Sequence, residues 1–598
     1  MALKRNSEIF PVAIAMKLPS IQLEAAEIRR TFTWVDFVVL VGVFGFSWTV
    51  LHFGKGMIVH FDENQSPAIS TNILNIPYYA GRTVLRMWIA FGFSLLFTFG
   101  VGYAAAKSRV ARSIILPALD ILQSVPVLGF LSITVTGFMA LFPGSLLGVE
   151  CASIFAIFTG QVWNMTFGFY HSLVTIPKDL QEAATNFRLS RWQRFGTLEV
   201  PSSMHSLIWN SMMSFGGGWF FVAQSEAITV LNKNIKLPGL GSYMATAVEK
   251  GDNTAAICAI LTMLAVIIAS DQLVWRPLLA WADKFKMELI ESGEAPQSWL
   301  YNFLRRAYIF PWIEEHIFYP ISDGLTQLKR GIKLFEAVPQ RSRNLLGRIV
   351  SGLVGGLIAL WIGFEVVLGI VAAIDTVYNH VALAQFTRLF FLGLLTMGRV
   401  VLMTILATLI WTPIGVWIGF KPRIARVAQP LAQIAASFPV NMTFPFMVGF
   451  FVASHLGINW GSIILIAMGT QWYILFNVIA GAMAIPNDLK EAAQTYGLGG
   501  WALWRTLILP AIFPFWVTGA CTAAGGAWNA SIVAELATWG STTLKADGLG
   551  AYIAEVTQKG DTPMIICSIA VMCVFVVITN KLIWRRLYDY AEKRFHLD

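Results

Sequence analysis

Runs of about twenty apolar residues, each long enough to cross the roughly 30 Å of bilayer hydrocarbon as a helix, recur along all 598 residues of this chain. They lie near 32–53, 84–106, 114–142, 149–174, 204–224 and 254–278, then near 347–374, 394–420, 428–455, 459–483, 507–527 and 563–586. A backbone surrounded by lipid has to satisfy its own N–H and C=O groups, so such segments fold as helices. Composition agrees: 56% of residues are hydrophobic and 13% charged, against about 25% charged in soluble chains. The expectation is an all-α polytopic membrane protein with about 12 transmembrane helices.

The basic residues sort by side. Lys107, Arg109 and Arg112 follow the second span, Lys178, Arg188, Arg191 and Arg194 the fourth, and Arg276, Lys284 and Lys286 the sixth; Lys421, Arg423 and Arg426 repeat the pattern. The interval between the first two spans carries Asp62 and Glu63 instead. This bias places both termini in the cytoplasm and the chain in a bacterial inner membrane. The net charge of +9 then reads as topology signal facing anionic lipid. Nucleic acid is not expected, since no basic segment with interleaved aromatics stands clear of the spans. The cysteines sit in or beside apolar runs without a CxxC pair and read as small buried hydrophobes. The first 30 residues, with Arg29 and Arg30, are not expected to form a cleavable signal peptide.

The chain also repeats itself. IPKDLQEAA at 176–184 returns as IPNDLKEAA at 485–493, an offset of 309. In the same register Pro201 meets Pro510, Trp219 meets Trp528, Glu226 meets Glu535, GLG at 239–241 meets 548–550, and KGD at 250–252 meets 559–561. Upstream the offset is 313, pairing Arg86 with Arg399, Pro117 with Pro430 and Pro126 with Pro439. Two parallel six-helix repeats are expected, 1–283 and 346–598, with a pathway between them. Between them, 284–345 crowds Trp299, Tyr301, Phe303, Tyr308, Phe310, Trp312 and Phe318 around Arg305 and Arg306. It reads either as helices lying at the cytosolic interface or as a linker whose aromatics pack on the protein.

After the fourth span of each repeat comes a polar island. Pro177-Lys178-Asp179 and Pro486-Asn487-Asp488 suit a helix start, and Pro201 and Pro510 close the islands. That leaves room for two short helices and a turn, made by Gly497, Gly499 and Gly500 in the second copy. Glu-Ala-Ala with a following glycine and a closing proline resembles the EAA loop of ATP-binding-cassette importer permeases. GGAWNASIVAE at 525–535 is similar to the nitrate/taurine/sulfonate/bicarbonate branch. The resemblance implies a type I importer fold. It also implies that Glu182, Ala183 and Ala184, and Glu491, Ala492, Ala493 and Gly497, couple to two separate ATPase subunits, which would hold the ATP and magnesium. A periplasmic solute-binding protein would deliver cargo. Arg188 stands where the motif wants glycine, at a cost of order 1 kcal/mol for positive φ, so the first elbow is expected either to bend differently or to bind its ATPase less tightly.

The chain has no GxxxxGK[ST], HExxH or GxSxG sequence, and is therefore not expected to be an enzyme or to hold a cofactor or metal. Ionisable and polar groups in apolar runs are functional candidates: Asp120, Gln123 and Ser124 in the third span, with Gln433 opposite Asp120 in the repeat, and Trp219 and Trp528 in the Gly-rich fifth spans. Arg86 and Arg399 read as headgroup anchors more readily than as anion attractors. The competing functions are an ion-coupled secondary transporter and a non-transporting scaffold recruiting partners through 284–345.

Overall fold

Proline shapes two of the expected spans. A residue before proline is pushed out of the helical region, and Val125 and Phe438, before Pro126 and Pro439, are both extended (ψ 125° and 128°). A computed structural model of the chain describes residues 32–61, 67–230, 233–285, 298–313, 316, 363–365, 367–540 and 542–594. In it, the segment expected as the third span of each repeat is a pair of helices, bent by 101° in the first copy and 74° in the second.

Among the described residues, seven helices are long and apolar enough to cross a membrane, or up to nine if each bent pair is one span. The expected count of about twelve is not reached, for identifiable reasons. The fourth and fifth spans are present as helices Leu147–Val174 and Val200–Ser225, but buried polar residues such as Glu150, Gln161, Ser203 and Ser211 dilute their hydropathy. The span near 347–374 lies mostly outside the described residues, as do Asp62 and Glu63.

The first repeat contains α1 (Trp34–Lys55), α2 (Ile76–Phe97), α3 (Arg109–Ser124), α4 (Val127–Leu141), α5 (Leu147–Val174), α6 (Lys178–Asn186), α7 (Val200–Ser225), the hairpin β1–β2 (Ala227–Val230, Lys233–Lys236), α8 (Leu240–Lys250) and α9 (Asn253–Ser270). The second contains α10 (Leu383–Gly419), α11 (Pro422–Ser437), α12 (Phe444–Ala453), α13 (Ile458–Ala484), α14 (Asn487–Thr495), α15 (Leu509–Ala534), β3–β4 (Leu536–Trp539, Thr542–Lys545), α16 (Leu549–Lys559) and α17 (Thr562–Thr579). The two hairpins share one antiparallel register, Ala227 opposite Lys236 and Leu536 opposite Lys545. The KGD repeats are a stop and a start. Gly251 and Gly560 end a helix in the left-handed region (φ 65° and 70°), and Asp252 and Asp561 then cap the next by accepting from the amides of Ala255 and Met564.

Matched helix crossings use exchanged residues. Where α5 crosses α7, Gly168 lies under Asn210, whose Cγ a Cβ at 168 would approach to 2.8 Å. At the same crossing of α13 and α15 the roles reverse: Asn477 is on the earlier helix and Gly519 on the later, where a Cβ would lie 2.8 Å from the Tyr473 carbonyl. One small and one large residue fill the same space from either side.

Described residues of both repeats, between Val50 and Gln297 and between Leu383 and Asp598, pack as one compact unit. The repeats meet where α7 packs on α11, with Gly216 against Ser437, and where Asn441 Nδ2 donates to Gln224 Oε1 at 3.0 Å. A second unit joins the described residues 32–49 with those between Ser298 and Ala382. There Asp36, buried at the start of α1, accepts from the Ile309 amide (2.7 Å) and from the Thr33 amide and hydroxyl. Phe32 meets Tyr308 edge-on and Trp34 meets Phe303. These linker aromatics pack on the protein, while Trp299 stays exposed; Phe318 and residues 317–345 lie outside the described residues.

Candidate functional site

Both polar islands fold as elbows. Pro177 and Pro486 are extended (ψ 139° and 142°) and release the chain into nine-residue helices, α6 and α14. The helices end alike. Arg188 (φ 51°) and Gly497 (φ 68°) are left-handed; their amides donate to the carbonyls of Thr185 and Gln494, and the amides of Leu189 and Leu498 to those of Ala184 and Ala493. The different bend expected from Arg188 is therefore absent, because the hydrogen bonds that close the turn are the same. After the turn the copies diverge. Gly500 is again left-handed, whereas Ser190 and Gln193 restart the chain with reciprocal side-chain caps (2.9 and 3.3 Å). Ala184 and Ala493 are buried beneath the elbows, Ala183 is half-buried, and Glu182, Glu491 and Ala492 are exposed.

The elbows are rooted by different chemistry. Glu199, buried ahead of Pro201, pairs with Lys107 and with Arg194 (3.1 Å), and Arg194 also donates to Gln181. The matched residues Phe420, Leu503 and Ile508 are all apolar. Lys490 replaces Gln181 and lies 5.3 Å over the Phe420 ring, where burial pushes its ammonium pKa down. The first elbow has a concavity of ≈ 430 Å³ lined by Lys178, Gln181, Glu182, Thr185, Asn186 and Arg194.

On α2 lies a charge cluster that corrects the anchoring reading of the arginines. Arg86 is fully buried. It holds Glu150 with two hydrogen bonds, Nε at 2.5 Å and Nη2 at 2.8 Å, and Glu226 through Nη1 at 2.7 Å. Arg82 adds a second cation on Glu150 at 2.5 Å. Glu226 also accepts from Thr83 and from the Gly241 amide, and Thr83 accepts from the Leu240 amide, so the N-terminus of α8 is tied to α2. A Cβ at Gly239 would overlap the Glu226 carboxylate, and one at Gly548 that of Glu535; this close approach is why both copies carry GLG.

The second repeat builds the same knot with fewer charges. Arg399 pairs with Glu535 at 2.9 Å, Thr396 donates to Glu535 and accepts from the Leu549 amide as Thr83 does from Leu240, and the amide on Glu535 is that of Ala551, one residue beyond the match of Gly241. Asn459 stands where Glu150 does, accepting from Arg399 at 2.8 Å, and Leu395 stands where Arg82 does. Each knot among these residues balances its cations against its anions, as burial requires. The signal was present in the sequence: a basic and an acidic residue kept in both copies within apolar surroundings.

The pathway candidates separate. Trp219 and Gln433 are both buried and line one small cavity of ≈ 20 Å³ between the repeats, with Gly216, Asp271 and Ser437; it has room for about one water molecule and none for a larger solute. Trp219 meets Phe215 edge-on, and Trp528 lies against Phe575, each within its own repeat. Asp120 is exposed and accepts from Gln123 at 3.3 Å; the side chain of Ser124 lies outside the description. Among the described residues no group of His, Cys, Asp or Glu could hold a metal.

Comparison with known proteins returns one family, the binding-protein-dependent transport system inner membrane component, which matches residues 97–274 and again 411–597. The chain is 24% identical over 188 residues to a nitrate import permease protein of Leptolyngbya laminosa, covering 31% of this chain and 64% of the relative. A taurine transport system permease protein of Escherichia coli K12 is 24% identical over 183 residues, 31% of this chain and 63% of the relative. A bicarbonate transport system permease protein of Synechocystis is 26% identical over 206 residues, 34% and 68%. The match thus spans a little under two thirds of the nitrate and taurine relatives.

Proposed function

Because the chain belongs to the family of binding-protein-dependent transport system inner membrane components, twice over in one polypeptide, we propose that it is the complete membrane pathway of an ATP-driven importer for a small anion. The observation that carries this reading is the pair of elbows: the same nine-residue helix, left-handed stop and exposed Glu at matched positions. In the proposed assembly the chain has twelve spans in two parallel repeats of the type I importer kind, both termini and both elbows are cytosolic, and each elbow seats in one ATPase subunit. Closure of the ATPases on ATP moves the elbows together. The repeats then rock about their contact at Gly216 and Ser437, and the pathway alternates between the two sides. A periplasmic binding protein presents the solute, for which the names of the relatives suggest nitrate, a sulfonate such as taurine, or bicarbonate.

The buried carboxylates weigh against an ion-coupled secondary transporter. Glu150, Glu226 and Glu535 are each engaged by arginine and so are poorly placed to carry protons across. The test is reconstitution of the chain with its ATPase and binding protein in liposomes, with labelled nitrate, taurine and bicarbonate offered in turn. Uptake of one of them that requires ATP supports the reading; uptake sustained by an ion gradient without ATP overturns it.

A further inference from the structure

The elbows share a backbone and differ in charge. Residues 176–194 carry Lys178, Arg188, Arg191 and Arg194 against Asp179 and Glu182, whereas 485–503 carry Lys490 alone against Asp488 and Glu491. Lys178 and Arg188 are exposed; their counterparts are Asn487 and Gly497. The concavity of the first elbow is lined by two cations, Lys178 and Arg194, and by Glu182. The residues matching Lys178 and Arg194 in the second elbow are Asn487 and Leu503, and its one cation, Lys490, matches Gln181. Lys490 is already occupied with the Phe420 ring. Two surfaces of the same shape, one carrying exposed Lys178 and Arg188 where the other has Asn487 and Gly497, are not electrostatic equivalents.

We propose that the first elbow docks on an acid-rimmed cleft of its ATPase partner and the second docks largely without charge, so that ionic strength loosens one lever and spares the other. This rests on the reading of both elbows as ATPase docking levers. Charged rims act through attractions that salt screens over about 8 Å at physiological strength, and they set encounter and register more than total affinity. The shared left-handed turn fixes the shape for both contacts, leaving rim charge as the difference between them.

The experiment places a photo-crosslinking residue at Thr185 in one version of the full chain and at Gln494 in another; both positions are exposed and correspond across the repeat. Each is assembled with the ATPase subunits and irradiated at NaCl from about 50 to about 500 mM. The expected result is a fall of about threefold or more in crosslinking from 185 and little change from 494. Lys178→Asn, which copies the second elbow at an exposed site, should flatten the dependence at 185. Equal salt responses at the two positions overturn the proposal while leaving the levers intact. Failure of both to crosslink an ATPase at any salt overturns the lever reading beneath it.

Discussion

Arg82 and Glu150 meet at 2.5 Å in the protein interior, and the residues at their matched positions, Leu395 and Asn459, are both uncharged. One repeat has both members of the pair and the other has neither. Breaking a buried pair by removing one partner costs about 3–5 kcal/mol, while replacing both is often near neutral. Glu150→Asn alone is therefore expected to lower thermal stability in detergent severely, since Arg82 and Arg86 both lose a carboxylate. Arg82→Leu together with Glu150→Asn, which copies the second repeat, should recover most of the loss. A double substitution as damaging as the sum of the singles would contradict this coupling.

The exchanged crossing makes a second paired prediction. Gly168→Asn forces a second amide against Asn210, and overpacking of this kind costs about 1–3 kcal/mol. Gly168→Asn with Asn210→Gly reproduces the arrangement of Asn477 and Gly519. Its melting temperature should lie closer to that of the native chain than either single substitution.

The left-handed turns predict opposite responses. Gly497→Ala places a Cβ where L residues pay about 1 kcal/mol. Arg188→Gly relieves the same strain and gives back part of it as unfolded-chain entropy, for a net gain of about 0.5 kcal/mol. Hydrogen exchange at the Leu498 and Leu189 amides, which close the two turns, should speed up in the first variant and slow in the second.

The hairpin of the second repeat carries a pH-sensitive tie. Hydrogen bonds from Lys545 and then Lys559 hold the Glu555 carboxyl down from its ordinary 4.5 to about 2. A depressed carboxylate pKa contributes stability above the unfolded value, and that contribution is lost as pH falls through the folded one. Protection of β4 and α16 against hydrogen exchange should weaken between about pH 4.5 and pH 2, and Glu555→Gln should be weakly protected throughout that window.

Local rules and repetition made parts of this molecule legible. The elbows could be read because proline, Glu-Ala-Ala and a turn residue recur at one spacing, and Gly497 marked the position where Arg188 adopts the same positive φ. KGD could be seen to repeat, but its meaning as stop and cap needed the helix ends on either side. The knot around Arg86 was misread because an arginine at the start of an apolar run normally reaches for headgroups, and its partner Glu226 lies 140 residues away. The broken third spans were hidden by their own hydropathy, although Pro126 and Pro439 stood at the breaks. Trp219 and Gln433 share a cavity only because α7 and α11 cross, which no local pattern announces.

Transmission of force from the ATPases through both elbows is tested most directly by Glu182→Lys combined with Glu491→Lys, both at exposed positions outside the apolar spans. ATP hydrolysis stimulated by solute and binding protein is measured in the reconstituted complex, alongside the melting temperature of the chain. Stimulation and ATPase association should be lost while the chain still melts as the native protein does. Full stimulation by the double variant would contradict transmission through the elbows.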